Sequence, residues 1–198
     1  MDLKQNLFTT CKFLILEPKK FWEKLKVNLR TPDQSDLVTD PARKILIPLI
    51  IIAGIAAFVG ETMNKEFLWS YAVIRATRDI ICYFLQFYIS VVAIYSLLKK
   101  YDKSYEQRTV VVILAYSMIP SLLMSIIIRL FPGMYVLSIL SLYGLYLYVT
   151  GASIMFDIIK ENRLKYITLS LLILLLIFSL TGVFTWKISE FIFTNYVS

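Results

Sequence analysis

An all-α integral membrane protein is the fold class this sequence predicts: a five-transmembrane-helix bundle preceded by an amphipathic, interfacial helical segment. Three observations carry that reading. Apolar residues make up 58% of the 198-residue chain and charged residues 18%, against roughly 45–50% and about 25% in soluble domains. The excess is gathered into five runs, each near the roughly 20 residues a helix needs to cross hydrocarbon. The basic residues flank those runs, so the net charge of +7 reads as membrane orientation and not as a nucleic-acid surface. The expected organisation is a cytoplasmic segment over 1–40, with amphipathic helices and a linker, and a membrane domain over 41–198.

In chain order, Leu3, Leu7, Cys11 and Leu14 recur at helical spacing, which predicts a short amphipathic helix. Glu17-Pro18 interrupts it, since proline cannot continue the backbone ladder yet fits the first turn of a new helix. From there Phe21, Trp22, Leu25 and Leu29 share one face, with Lys19, Lys20, Lys24 and Lys26 around the other. Aromatics opposite lysines predict a helix lying on anionic head groups; the alternative is a helix docked on the end of the bundle. Residues 31–40 lack an apolar period and read as a linker.

The spans are expected at about 45–62, 79–98, 110–130, 134–156 and 166–186. In the first, Ala53, Ala57 and Gly60, with Gly54 alongside, form a small-residue face that lets another helix approach closely. Gln86 interrupts the second, and Phe131-Pro132-Gly133 predicts a tight turn between the third and fourth. The fifth is aliphatic nearly all round, as suits a lipid-exposed helix, and Lys187 to Ser198 reads as a short interfacial tail.

Sixteen of the 21 basic residues fall on the side of the N-terminus, the second-to-third loop and the fourth-to-fifth loop. By the positive-inside rule that side is cytoplasmic and the C-terminus lies outside. No removable signal sequence is expected at the N-terminus. Cys11 and Cys82 lack metal-ligand spacing and the chain has no histidine, so neither a metal site nor a cofactor is expected. Groups for acid–base or nucleophilic catalysis are absent or scattered, and phosphate-binding glycine patterns are missing, so the chain reads as a non-enzyme.

Polar side chains within the spans are the candidate functional groups. Tyr143, Tyr146 and Thr150 share a helical face, and with Gln86, Tyr116 and Ser117 they form a candidate intramembrane polar cluster. It would either line a path or serve as interhelical hydrogen bonds. Pro120 should kink the third span, freeing the carbonyl near Tyr116. Arg75, Arg78 and Arg129 are candidate lipid-phosphate contacts or interface anchors, with Arg75 and Asp79 one helical turn apart and able to pair.

The stretch Leu14-Ile15-Leu16-Glu17-Pro18-Lys19-Lys20-Phe21-Trp22, then Pro48-Leu49-Ile50, Ala115-Tyr116-Ser117-Met118-Ile119-Pro120, Phe131-Pro132 and Tyr143-Gly144-Leu145-Tyr146 carry a family resemblance. In their order and five-span layout they resemble the Yip family, named for interaction with Ypt/Rab GTPases, and its short bacterial branch in particular. The family's glycine-tyrosine-x-x-x-proline motif appears with Ala115 in place of glycine, and its Asp-Leu-x-Gly-Pro motif is not intact around Asp40, Pro41 and Pro48. The resemblance implies a non-enzymatic protein of the bacterial cytoplasmic membrane that organises membrane or recruits partners. Membrane lipids, other membrane proteins or a second copy meeting through Ala53, Ala57, Gly60, Gly144 and Gly151 are the expected partners, although those faces can equally pack within one protomer. The rival reading is a small transporter or channel for a solute, ion or lipid, with Gln86, Tyr116, Tyr143 and Tyr146 along its path.

Overall fold

The computed structural model describes residues 7–30, 42–63, 68–101, 107–156, 158 and 160–196. Two short helices, α1 (Leu7–Leu16) and α2 (Pro18–Arg30), precede the membrane bundle. A single π turn, Ala42–Leu46, leads directly into α3 (Ile47–Thr62), with Pro48 close to the junction. α4 (Trp69–Tyr101) and α5 (Gln107–Leu130) follow. The next crossing is composite, a 3-10 helix over Pro132–Leu142 continuing as α6 (Tyr143–Met155). α7 (Lys160–Tyr196) completes the chain.

Five helical stretches are long and apolar enough to cross a membrane: Lys44–Thr62, Trp69–Tyr101, Gln107–Leu130, Pro132–Met155 and Asn162–Asn195. All five expected spans lie within or against them. The second and fifth helices are longer than expected. At 1.5 Å per residue, the 33 residues of α4 extend about 50 Å, well past a hydrocarbon core of roughly 30 Å. Its first ten residues carry Arg75 and Arg78, which find carboxylate partners within the protein, so the helix continues through a stretch that reads from sequence as a loop. The expected C-terminal tail likewise remains helical to Tyr196 as the end of α7.

α5 lies at the centre: Val112 to Pro120 is buried without interruption, and α3, α4, α6 and the 3-10 helix all pack around it. α4 and α7 run antiparallel, with Tyr101 against Tyr166 at one end and Tyr71 against Phe193 at the other. Helices in lipid gain little by hiding apolar surface from one another, so close backbone approach has to hold the bundle. Glycine provides it. A Cβ on Gly60 would strike the Arg129 carbonyl oxygen, and one on Gly144 would strike that of Ser117 at 2.5 Å. The small-residue faces expected to join two copies are thus engaged inside one protomer.

α5 is a continuous α-helix through Pro120. The next crossing opens irregularly, with 3-10 winding over Pro132–Leu142 that is broken by a kink at Met134 and includes no buried residue. The expected turn at Phe131-Pro132-Gly133 closes with the Met134 amide donating to the Phe131 carbonyl at 2.9 Å.

Candidate functional site

The N-terminal helices form the first candidate. Phe21, Trp22 and Leu25 lie on one face of α2, and all three are at most 1% exposed because that face packs on the bundle. Phe21 and Trp22 set their rings edge-on to Tyr116, with centroids 5.0 and 6.1 Å away. Trp22 also lies flat on Gly151, where a Cβ would meet its ring at 2.8 Å. Lys26 Nζ donates to the Ile154 carbonyl at 2.7 Å, and the Tyr143 hydroxyl donates to the Ile15 carbonyl at 2.8 Å. Those contacts, Ile15 with Tyr143, Trp22 with Gly151 and Lys26 with Ile154, advance together along both chains. The α1–α2 unit therefore runs alongside α6 in the same direction.

Of the two settings expected for the α2 aromatic face, its burial matches docking on the bundle. Phe21, Trp22 and Leu25 bury against protein, not lipid head groups, because Gly151 and Tyr116 together form a cradle shaped for an indole. The opposite face stays free: Lys12, Lys19, Lys20 and Lys24 are exposed, with Lys20 paired to Glu17 at 2.7 Å. That pairing raises the Lys20 ammonium above its ordinary value, through the hydrogen bond and charge of Glu17. Cys11 is buried beneath the unit, and desolvation pushes its thiol upward.

At the opposite end of the bundle an ion-pair network joins α3, α4 and α5. Arg75 pairs with Glu61. Asp79 takes Arg78 on one oxygen at 2.7 Å and Arg129 on the other at 2.7 Å, the latter an ion pair without hydrogen-bond alignment. Both carboxylates are buried, at 6% and 5% exposure, while the arginine side chains remain 17–28% exposed. The three candidate phosphate contacts are thus placed together, each facing a carboxylate. Asp79 is held by Arg78 and Arg129, while Arg75, one turn away on the same helix, reaches across to Glu61.

The expected polar cluster is divided by the fold. Gln86 faces α7 and donates to the Phe178 carbonyl at 3.5 Å. Tyr116 belongs to the α2 cradle, and Thr150 bonds within its own helix to the Tyr146 carbonyl at 2.9 Å. Tyr143 and Tyr146 do stand together, with ring centroids 5.3 Å apart, but Tyr146 is largely exposed. Ser117 borders a cavity of about 110 Å³ whose other walls include Met118, Gly144, Tyr148 and Leu174.

Several polar groups escape notice in the sequence. Ser90, Ser117, Tyr148 and Tyr166 bury hydroxyl oxygens that make no hydrogen bond. Tyr148 faces Ser170 and Tyr166 without the alignment a bond requires. Tyr83 donates to Ser125 at 2.6 Å, tying α4 to α5. Tyr166 lies at a predicted span end, where tyrosine is common and attracts no attention. Among the described residues no three acidic, cysteine or histidine side chains converge as metal ligands.

Five apolar helices, glycine-mediated crossings and an N-terminal unit seated on the third and fourth crossings define a polytopic helical membrane protein. The family model of the Yip1 domain matches residues 12–182, which takes in the docked helix α2 and all but the last part of α7. The chain belongs to the Yip1-domain family. No curated protein and no solved structure matches it.

Proposed function

We propose that this protein is a non-enzymatic scaffold of the bacterial cytoplasmic membrane that organises membrane or recruits partners through its N-terminal unit, with the N-terminus cytoplasmic and the C-terminus outside. One observation supports this above others: α1–α2 is seated firmly on the bundle by Trp22, Tyr116 and Gly151, with Lys12, Lys19, Lys20 and Lys24 left on its free face. A basic face held in place at the end rich in Lys99, Lys100, Arg108 and Lys165 suits an anionic lipid surface or an acidic partner segment. Near a membrane surface each such lysine contributes about 1 kcal/mol of attraction to anionic lipid.

The test uses the full-length protein in nanodiscs with and without anionic lipid, comparing it with a variant carrying Lys12, Lys19, Lys20 and Lys24→Gln. The reading expects hydrogen exchange in α1–α2 to slow on adding anionic lipid in the parent protein and not in the variant. Equal exchange in both lipids for the parent protein would refute the lipid reading. An acidic partner would then have to be recovered by crosslinking from Lys19 or Lys24 in native membranes, with recovery lost in the variant.

A transporter or channel remains the second reading because of the unbonded hydroxyls of Ser90, Ser117, Tyr148 and Tyr166. Each would gain a partner from a polar solute or water, since an unsatisfied buried group costs about 1–3 kcal/mol. Solute flux in liposomes that is lost on Tyr148→Phe, with folding intact, is the result that would favour it.

A further inference from the structure

The irregular winding of the fourth crossing has a consequence for lipid. The 3-10 helix Pro132–Leu142 leans on α5, and α6 continues on the same neighbour while touching α7 only lightly. Between this crossing and α7 a cavity of about 110 Å³ opens, with Leu114 and Met118 at its floor, Leu174 on one wall and Leu142 and Leu175 at its rim. The floor and wall residues are at most 5% exposed, whereas Leu142 and Leu175 are 57% and 45% exposed on surfaces that face the bilayer. Gly144 lines the cavity and sets the close approach of α5 and α6 beside it, because a side chain there would collide with the Ser117 carbonyl.

We infer that this cleft is a binding site for one hydrocarbon chain of a membrane phospholipid, entering sideways between the 3-10 helix and α7. Its lining is mainly apolar, which favours a hydrocarbon occupant. Of its hydroxyls, Ser121 bonds the Ser141 carbonyl at 3.2 Å and Ser141 bonds that of Ser138, while those of Ser117 and Tyr148 stand unbonded on an otherwise apolar lining. The remaining walls are almost wholly aliphatic or aromatic. An apolar cavity of about 150 Å³ in a soluble protein stays dry and accepts an apolar guest. A cleft of comparable size with its mouth in hydrocarbon meets acyl chains at the highest concentration available, and an unfilled wall forfeits dispersion contacts that a chain restores.

This site goes beyond the scaffold reading and stands or falls separately, since its occupant needs neither the basic face nor a partner. The test reconstitutes the full-length protein in vesicles of phosphatidylcholine whose acyl chain carries a terminal diazirine, followed by irradiation and mass spectrometry. Adducts are expected on Leu114, Met118 and Leu174 at least tenfold above those on Ile94, Ile119 and Leu122, which are equally buried but outside the cleft. Leu175→Trp at the mouth should lower the adducts on Leu174 and Met118 at least fivefold, while Leu176→Trp, on the lipid face outside the lining, should leave them unchanged. Adducts confined to exposed residues, or equal on buried residues inside and outside the cleft, would overturn the assignment. Equal effects of the two tryptophan substitutions would do the same.

Discussion

Removing the Trp22 side chain should release the N-terminal unit, and Cys11 reports that release. Trp22 is fully buried, stacked on Gly151 and edge-on to Phe21 and Tyr116. Truncating a buried tryptophan to alanine costs about 3–5 kcal/mol, and 1.4 kcal/mol is a factor of ten, so Trp22→Ala should raise the undocked population at least about 100-fold. α1 and α2 move together because Phe13 packs on Phe21 and Ile15 accepts the Tyr143 hydrogen bond. Cys11, 8% exposed in the docked state, would therefore become accessible with the rest of the unit. The assay is maleimide labelling of Cys11 in a Cys82→Ser background in nanodiscs, under conditions where labelling follows the open population. A labelling rate unchanged by Trp22→Ala would refute the docking account, because the thiol would then be shielded by something Trp22 does not hold. The pH dependence gives a second reading of the same contact. Burial raises the Cys11 thiol above its ordinary value, so the docked state retains a proton that the undocked state loses. Docking is thus fully stable below the ordinary thiol range and weakens as pH rises through it toward the raised value. Cys11→Ala, read by hydrogen exchange in α1–α2 in place of labelling, should abolish that weakening.

Further outcomes follow from single contacts. Tyr143→Phe deletes the hydroxyl bonded to Ile15 and should cost about 0.5–1.5 kcal/mol of docking, read as up to roughly tenfold faster Cys11 labelling, whereas Tyr146→Phe, on the exposed face, should not change it. Asp79→Asn leaves Arg78 and Arg129 facing each other without their shared carboxylate and should destabilise the bundle by about 3–5 kcal/mol, measured as a lowered unfolding midpoint in detergent. Gln86→Leu removes one long interhelical bond and should cost no more than about 0.6 kcal/mol in the same assay. Gly60→Val drives a side chain into the Arg129 backbone; separation of α3 from α5 should appear as loss of a disulfide crosslink engineered between those helices.

The five crossings were legible because hydrocarbon demands apolar runs of a fixed length: Tyr166 to Trp186 meets that demand unaided, while Ile45 to Gly60 reaches only about 24 Å and is completed by its flanks in Lys44–Thr62. Helix ends were less so. Arg75, Arg78 and Asp79 look like a boundary until Glu61 and Arg129 supply their partners from other helices. The seat of α2 was hidden for a related reason: an aromatic stripe suits lipid and protein equally, and only the meeting of Gly151 with Trp22 distinguishes them. Tyr143 could be picked out as a hydroxyl needing a partner, but that partner is a backbone carbonyl 128 residues away, which periodicity cannot foresee. The 3-10 winding of Pro132–Leu142 likewise has no marker, since its residues alternate little and would fit an α-helix as well.

The account rests on a chain that crosses hydrocarbon an odd number of times, with the Lys99, Arg108 and Lys165 boundary on one side and the Arg129 and Lys187 boundary on the other. Impermeant labelling of single cysteines placed at Lys100 and at Ser189, in cysteine-free protein in sealed right-side-out vesicles, tests this most directly. Labelling of Ser189→Cys alone is the predicted result. Labelling of both positions from one side would contradict it.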